Sequence, residues 1–333
     1  MATTVSGRAY AQGLAKQAAL GTAVPPSSTV GLWPKWENGT NAQPQSRTKK
    51  YNEGDGSAFQ SLNIKTGQWG MAKFVTYARP KEAALLATAL SGPGSDVPGA
   101  LAGANYPHVI TRTAAGALQP HTIAANVSSN YYRQIVDAVC HKMVISASKE
   151  DPLLKLDADF LGLTNSQGGT LATSSVLTDL PFGYFGGTWV APVTSLNGQV
   201  TGFTCTIDNG VSPENYIGET VTPNPFSGTI TLVTLELDVF WTDGGAAAAA
   251  YFNNGTTDSP LLPTSPFSAS FQCQSDATQT FLLSLPNVSF DSTVLTPATE
   301  GAPMPEKLTL QAVKVGAVAP YQITVNLPVA AAY

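Results

Sequence analysis

The feature that most constrains this chain is alternation. In four separate stretches, apolar and polar side chains change places at every residue, the period of a strand with one buried face and one wet face. Leu154, Leu156, Ala158 and Phe160 alternate with Lys155, Asp157 and Asp159; Phe203, Cys205 and Ile207 alternate with Thr204, Thr206 and Asp208. Val233, Leu235, Leu237, Val239 and Trp241 share one parity, as do Tyr321, Ile323, Val325 and Leu327. Composition agrees: only 12% of residues are charged, and 30 glycines and 24 prolines supply the turns of a mainly β fold. A length of 333 residues suggests about two domains.

Charge and cysteine usage exclude several classes. Seventeen basic against 22 acidic side chains give a net charge of −5. No stretch is basic enough to neutralise many phosphates, so tight nucleic-acid binding is not expected. Cys140, Cys205 and Cys273 are too few and too scattered for a disulfide framework or a zinc ribbon. The longest purely apolar run, Ala246 to Phe252, is far short of the ~20 residues of a membrane span. Near the N-terminus, Gln12, Gly13 and Gln17 interrupt any apolar signal core, so secretion is not expected.

The order of segments predicts an N-terminal arm and long polar loop over 1–58, a first domain over 59–165, a linker over 166–180 and a second domain over 181–333. In the arm, Tyr10, Leu14 and Ala18 fall at i, i+4, i+8 and predict a short helix or extended arm over Arg8 to Leu20. Trp36 to Ser57 reads as a loop, with Asn38-Gly39, a basic cluster and Gly54-Asp55-Gly56. Two helices interrupt the strands, one from Pro80 through Lys81 to Leu90 and ended by Gly92, the other from about Gly245 to Phe252. A closing hairpin follows each helix at nearly the same interval, Pro80 to Lys142 in one half and Gly244 to Lys307 in the other, which suggests an internal duplication. At an offset of 165, Met143, Ile145 and Ala147 fall on Leu308, Leu310 and Ala312, and Leu156, Ala158 and Phe160 fall on Tyr321, Ile323 and Val325.

The residues of chemistry are not arranged for catalysis. The pattern G-x-S-x-G is absent, and His108, His121 and His141 have no metal-pair spacing, so each is expected as a surface or loop-end residue. Gly54-Asp55-Gly56 and Gly92-Pro93-Gly94 read as turns because neither continues into a phosphate loop. Cys205 and Cys273 share the apolar parity of their strands and read as small core residues. The pairs Asp157/Asp159 and Glu236/Asp238 sit about 7 Å apart on a strand face, a spacing a glycosidase can use, but without the aromatic neighbours of a sugar cleft they read as a solvated face. Four Asn-x-Ser/Thr matches, at Asn38, Asn126, Asn254 and Asn287, are assigned no role. No catalytic residue, metal site or cofactor is expected.

In the second half, GQVTGFTCTIDNG from Gly198, ITLVTLELDVFW with Ala246 to Phe252, LLSLPNVSF, EKLTLQAVKV and YQITVNLP resemble the major tail tube protein of long-tailed bacteriophages; in the first half, MVISASKEDPLLKLDADFLGL resembles the matching hairpin. The resemblance implies a tail-tube domain, β-sandwich or barrel-like, with a short flanking helix, and with the suggested duplication the expectation is two such related domains in tandem. It further implies a virion tail protein, assembled in the host cytoplasm into stacked rings through which DNA passes without tight binding, with tape measure, tail terminator and distal tail proteins as partners and no membrane. Asp157, Asp159, Glu236 and Asp238 are then candidates to line the lumen, because an acidic wall does not hold phosphates. Arg47, Lys49, Lys50, Glu53 and Asp55 of the polar loop are candidates for contacts between rings. Two domains per chain favour rings of three chains with pseudo-sixfold symmetry, six chains being the alternative. A capsid decoration or fibre-like module, and a secreted carbohydrate-active enzyme, are the competing readings.

Overall fold

The computed structural model describes residues 10–27, 31–34, 37–51, 62–112, 118–128, 131–168, 179–190, 200–212, 231–240, 267–276, 278–295 and 305–330. Within them lie sixteen strands, β1 to β16, and one helix, α1, over Pro80–Ser91. Their backbone is one antiparallel network whose longest path runs β2-β3-β8-β7-β11-β12-β15-β14-β16-β5-β4. The second expected helix, Gly245 to Phe252, and Glu53 and Asp55 fall outside the described residues.

The alternating stretches became strands of the central sheet: β8 (Lys155–Gly162), β11 (Val200–Asp208), β12 (Leu232–Phe240) and β16 (Gln322–Leu327). Directly opposed residues share a face, so registers fix whole rows. One buried row runs Phe74, Ala158, Met143, Ile207, Val233, Ala312; the next runs Leu156, Ile145, Cys205, Leu235, Leu310. α1 packs over this apolar face against β16, β7 (Tyr131–Ser148) and β5 (Tyr106–Ile110). Asn209, at the end of β11, locks the helix to the sheet by donating from Nδ2 to the carbonyls of Leu90 (3.0 Å) and Cys140 (2.9 Å).

Two long strands pass from this sheet into a second layer. The first part of β7 pairs with β6 (His121–Ser128) and β9 (Thr164–Gly168), while its second part pairs with β8 and β11. The change of partner falls at Asp137, whose φ of 56° lies in the left-handed region that Asp tolerates better than most residues. Its carboxylate accepts from Gln17 Nε2 (2.9 Å) and the Gly21 amide (2.8 Å), and its own amide donates to Gln17 Oε1 (2.8 Å). The N-terminal segment therefore holds the bend. β14 (Thr280–Leu295) behaves alike: its first part pairs with β13 (Phe267–Gln274) and β16, its second with β15 (Pro305–Ala312), and Pro286-Asn287 lies between.

The structure corrects several sequence expectations. The Ala-rich arm is not a helix: Ala11–Lys16 forms β1, antiparallel to β6, and Gly13 lies flush under the Trp33 ring, where pairing and packing override helix propensity. The polar loop is largely strand, since Asn41–Tyr51 forms β2 along β3 (Leu62–Tyr77); as an edge strand, with Ala42 its only buried residue among 41–46, it gives no apolar alternation to read. The closing segments near Lys307 do not form a hairpin, because β15 and β16 do not pair with each other but with successive parts of β14. His108 and His121 are fully buried rather than at the surface. Residues 166–168 of the expected linker lie in β9, which pairs with β7.

Two consequences are testable. Gly70 and Gly162 face each other across β3 and β8, and Ile135 rests on both; a methyl on Gly162 would overlap Ile135 Cγ2. Gly162→Ala is therefore expected to cost about 1–3 kcal/mol, read as a lower urea midpoint at unchanged slope. His121 donates from Nδ1 to the Gln119 carbonyl (2.8 Å), and burial, helped by Lys16, lowers its pKa from 6.5 to about 4. The unfolded chain takes up this proton near pH 6.5 and the folded chain does not, so stability is expected to fall as pH drops from 6.5 to 4, by roughly 3 kcal/mol. Chemical denaturation of His121→Gln across that range should lack this slope.

Candidate functional site: the open face of the sheet and its edges

The face opposite the core carries the polar halves of the alternating strands, and registers order them into rows. One row runs Lys73, Asp159, Lys142, Asp208; a second runs Tyr77, Lys155, Ser146, Thr204, Glu236, Thr309; a third runs Ser148, Gly202, Asp238, Lys307. All four candidate carboxylates, Asp157, Asp159, Glu236 and Asp238, lie on this face. They are not alone there. Lys73 Nζ is 2.8 Å from Asp157 and 3.8 Å from Asp159, and Lys307 Nζ is 2.8 Å from Glu236. Partial burial raises the Asp159 pKa and Asp157 adds to this, against the opposing pull of Lys73. Burial works against the Lys73 ammonium, but its bond to Asp157 and the two carboxylate charges outweigh it and raise its pKa. Such half-exposed pairs contribute at most about 1 kcal/mol each to stability. Their larger effect is on the field, because they leave a polar wall close to balance.

Sequence reasoning fixes on the carboxylates and overlooks Lys73, Lys142 and Lys307. The signal is present: each occupies the wet parity of its strand, beside a buried Phe74, Met143 or Leu308.

Among the described residues, nothing on this face is built for bond chemistry. A cavity of about 200 Å³ lies over the join of β7 and β11, lined by Ser146, Ser148, Asp151, Lys155, Thr204 and Asp238 among others. None of its hydroxyls has a histidine neighbour among the lining residues, and no group of three or more His, Cys, Asp or Glu among the described residues could hold a metal. The three cysteines are buried, and desolvation raises every thiol, Cys205 to about 12. His108 is held between Asp96 (Nδ1 to Oδ2, 3.0 Å) and the Val329 carbonyl (Nε2 to O, 2.7 Å), a tie for the C-terminal segment. No helix among the described residues is long and apolar enough to cross a membrane.

The edges are more informative than the cavity. β2 and β3 run on together past Gly70, where β8 stops, so among the described strands Gln45–Tyr51 and Leu62–Trp69 pair only with each other, as a two-stranded ribbon. Arg47, Lys49 and Lys50 lie on this ribbon.

The pairing pattern also occurs twice. β2-β3-β8-β7 is followed directly by β11-β12-β15-β14, and the shared detail is a β-bulge. In β7 the register shifts between Cys140 and Lys142, opposite Phe160 and Asp159; in β14 it shifts between Phe290 and Ser292, opposite Leu310 and Thr309. Cys140 therefore corresponds to Phe290, and Lys142 to Ser292. Aligned on that bulge, the ion pairs coincide with reversed polarity: Lys73 on β3 takes the place of Glu236 on β12, and Asp157 on β8 that of Lys307 on β15. Aligned on the bulge, the interval is 150 for this pair of strands, where the sequence suggests 165.

The described sheet thus has a polar open face backed by a continuous core. The comparison with curated proteins gave no match. A family model described as phage tail tube protein matches residues 7–320, nearly the whole chain. The chain belongs to the phage tail tube protein family, as a structural subunit of the virion tail.

Proposed function

We propose that three copies of this chain close one ring of the tube, each contributing two tandem tube domains. The observation that carries this reading is the repeated run of four strands with its shared bulge, β2-β3-β8-β7 then β11-β12-β15-β14. Eight strands per chain and three chains give about 24 strands; at ~4.8 Å spacing the circumference is near 115 Å and the backbone bore roughly 35 Å. Duplex DNA passes such a bore with clearance. The open face lines the channel, with Asp157, Asp159, Glu236 and Asp238 turned toward the DNA and Lys73, Lys142, Lys155 and Lys307 interspersed. A wall of this kind offers a sliding polyanion neither a strong barrier nor a cluster of cations to release counterions against. The ribbon carrying Arg47, Lys49 and Lys50, with Glu53 and Asp55 beyond it, reaches the next ring. Tape measure, terminator and distal tail proteins are the further partners that such a tube implies.

Three measurements test this. Native mass spectrometry of a dissociated ring should give three times 34.6 kDa, whereas six times that mass would mean one enlarged domain per chain. Lys49→Glu with Lys50→Glu should leave a folded subunit that forms short or no tubes in negative stain; full-length tubes would remove the ribbon from the ring contact. Glu236→Lys with Asp238→Lys should leave tubes intact but let them retain duplex DNA at low salt and release it as salt rises. Retention equal to the unmodified tube would place these residues away from the channel.

A further inference from the structure

Within the chain, the two four-stranded runs meet where β7 pairs with β11. This junction is antiparallel over seven pairs, from Gly202 opposite Ser148 to Asp208 opposite Lys142. The Asn209 amide donates to the His141 carbonyl (2.8 Å) and the Lys149 amide to the Thr201 carbonyl (2.9 Å). Odd-numbered β11 residues therefore exchange hydrogen bonds with β7, and even-numbered ones form the closer, non-hydrogen-bonded pairs.

The ends of the double run offer the same two strands again. Alignment on the shared bulge puts β14 in the place of β7, with Phe290 standing where Cys140 does. The registers of β12 with β15 and of β3 with β8 then put β3 in the place of β12, Lys73 standing for Glu236. By the same interval β2 takes the place of β11, Gln45 standing for Asp208. Among the described strands, β2 pairs only with β3, and the last residues of β14, Ser292 to Leu295, pair only with β15. Among the described strands, none occupies on β14 the edge that β7 uses for β11, or on β2 the edge that β11 uses for β7; on β2 the Ala42 carbonyl accepts from Arg133 Nη1 (3.1 Å), a bond that the contact between copies exchanges for a backbone donor.

We infer that the ring closes by repeating the internal junction between copies: β2 of one copy pairs antiparallel with the end of β14 of a second copy, with Gln45 opposite Ser292, Pro44 opposite Thr293, Gln43 opposite Val294 and Ala42 opposite Leu295. This rests on the tube reading above and adds its contact and register. One heterologous contact, repeated, generates a closed ring without any other interface. Register parity agrees with the placement. On β14, position 293 lies opposite buried Leu308 and position 294 opposite exposed Lys307, so 293 and 295 have core-face parity and 294 has open-face parity. Buried Ala42 meets position 295 and exposed Gln43 meets position 294, as Cys205 meets Ile145 and Thr206 meets Val144 inside the chain.

The copied junction differs from the original at one position. Pro44 takes the place of Ile207, whose amide points to β7, so the contact between copies has one donor fewer than the contact within a chain. The same proline leaves the free edge of an unassembled subunit a poorer template for unwanted strands. Rings are accordingly expected to separate between chains before the internal junction opens.

Disulfide trapping decides the register. Gln43 and Val294 match the closer, non-hydrogen-bonded type of pair, where two cysteines bridge without backbone movement. Tubes of Gln43→Cys with Val294→Cys, oxidised and then denatured without reductant, are expected to lose the monomer band to covalent dimer and trimer. Gln45→Cys with Ser292→Cys should do the same, and serves if the first pair fails to fold. The off-register pair Gln43→Cys with Ser292→Cys should stay monomeric. If both in-register variants form tubes that remain monomeric, or if off-register crosslinks dominate, the junction is wrong while the tube reading stands. A disulfide within one chain also overturns it, by placing β14 against its own β2. If the unmodified chain forms no tubes at all, the tube reading itself fails, so the two failures are distinguishable.

Discussion

Strand register is the constraint on which the rest of this structure depends. Because side chains alternate with period 2, a slip of one residue at any ladder would turn Ile145, Cys205, Leu235 and Leu310 out to water and bring Lys142, Asp208 and Glu236 into the core. Each such exchange buries charges without partners and exposes aliphatic side chains, with penalties of several kcal/mol per misplaced ion. A core row that continues unbroken from Phe74 on β3 to Ala312 on β15 thus fixes six strands relative to one another. The bulges at Lys142 and Ser292 then decide where β7 and β14 turn along the sheet.

How much of this was legible follows from the same period. β8, β11, β12 and β16 each bury one face against the core and expose the other, so their sequences write the alternation plainly. β14 does not, because Pro286 and Asn287 sit where it changes layers and interrupt the pattern in mid-strand. With β14 hidden, β15 and β16 read as a hairpin, although each pairs with a different part of β14. β2 was illegible for another reason: an edge strand with polar residues on both faces reads as a loop. β1 is buried on both faces over Gln12 to Ala15, so it too lacks alternation, and its alanines suggest a helix that only the partner strand β6 forbids.

The sequence suggests a repeat at one offset, and the strand pairing recurs at others. Alternation is unchanged by a shift of two residues and nearly unchanged by exchange of one alternating strand for another, so an offset of 165 satisfied the pattern while joining β7 to β15. Hydrogen-bond registers remove that freedom. They match Cys140 to Phe290 on the bulged strands but Lys73 to Glu236 on the strands before them, two different offsets where a rigid sequence comparison has one. The difference lies in the connections, which is where insertions cost least.

The candidate site was legible in one sign only. Carboxylates stand out in a chain so poor in charge, and the four chosen do share the open face, but a face is defined by everything on it. The reversal between Lys73–Asp157 and Glu236–Lys307 is instructive here. If the sign at each position mattered for packing, exchange of the two partners would be penalised; if only local neutrality mattered, either order would serve. Two copies of one diagonal contact with opposite polarity fit the second case. For a wall along which a polyanion slides, this is the more demanding requirement: each cation must be held by a carboxylate, because a lysine free to reach a phosphate would hold it. On the proposed reading, the lysines belong to the channel surface as much as the acids do, and the bond to Glu236 that raises the Lys307 pKa keeps its ammonium on the sheet.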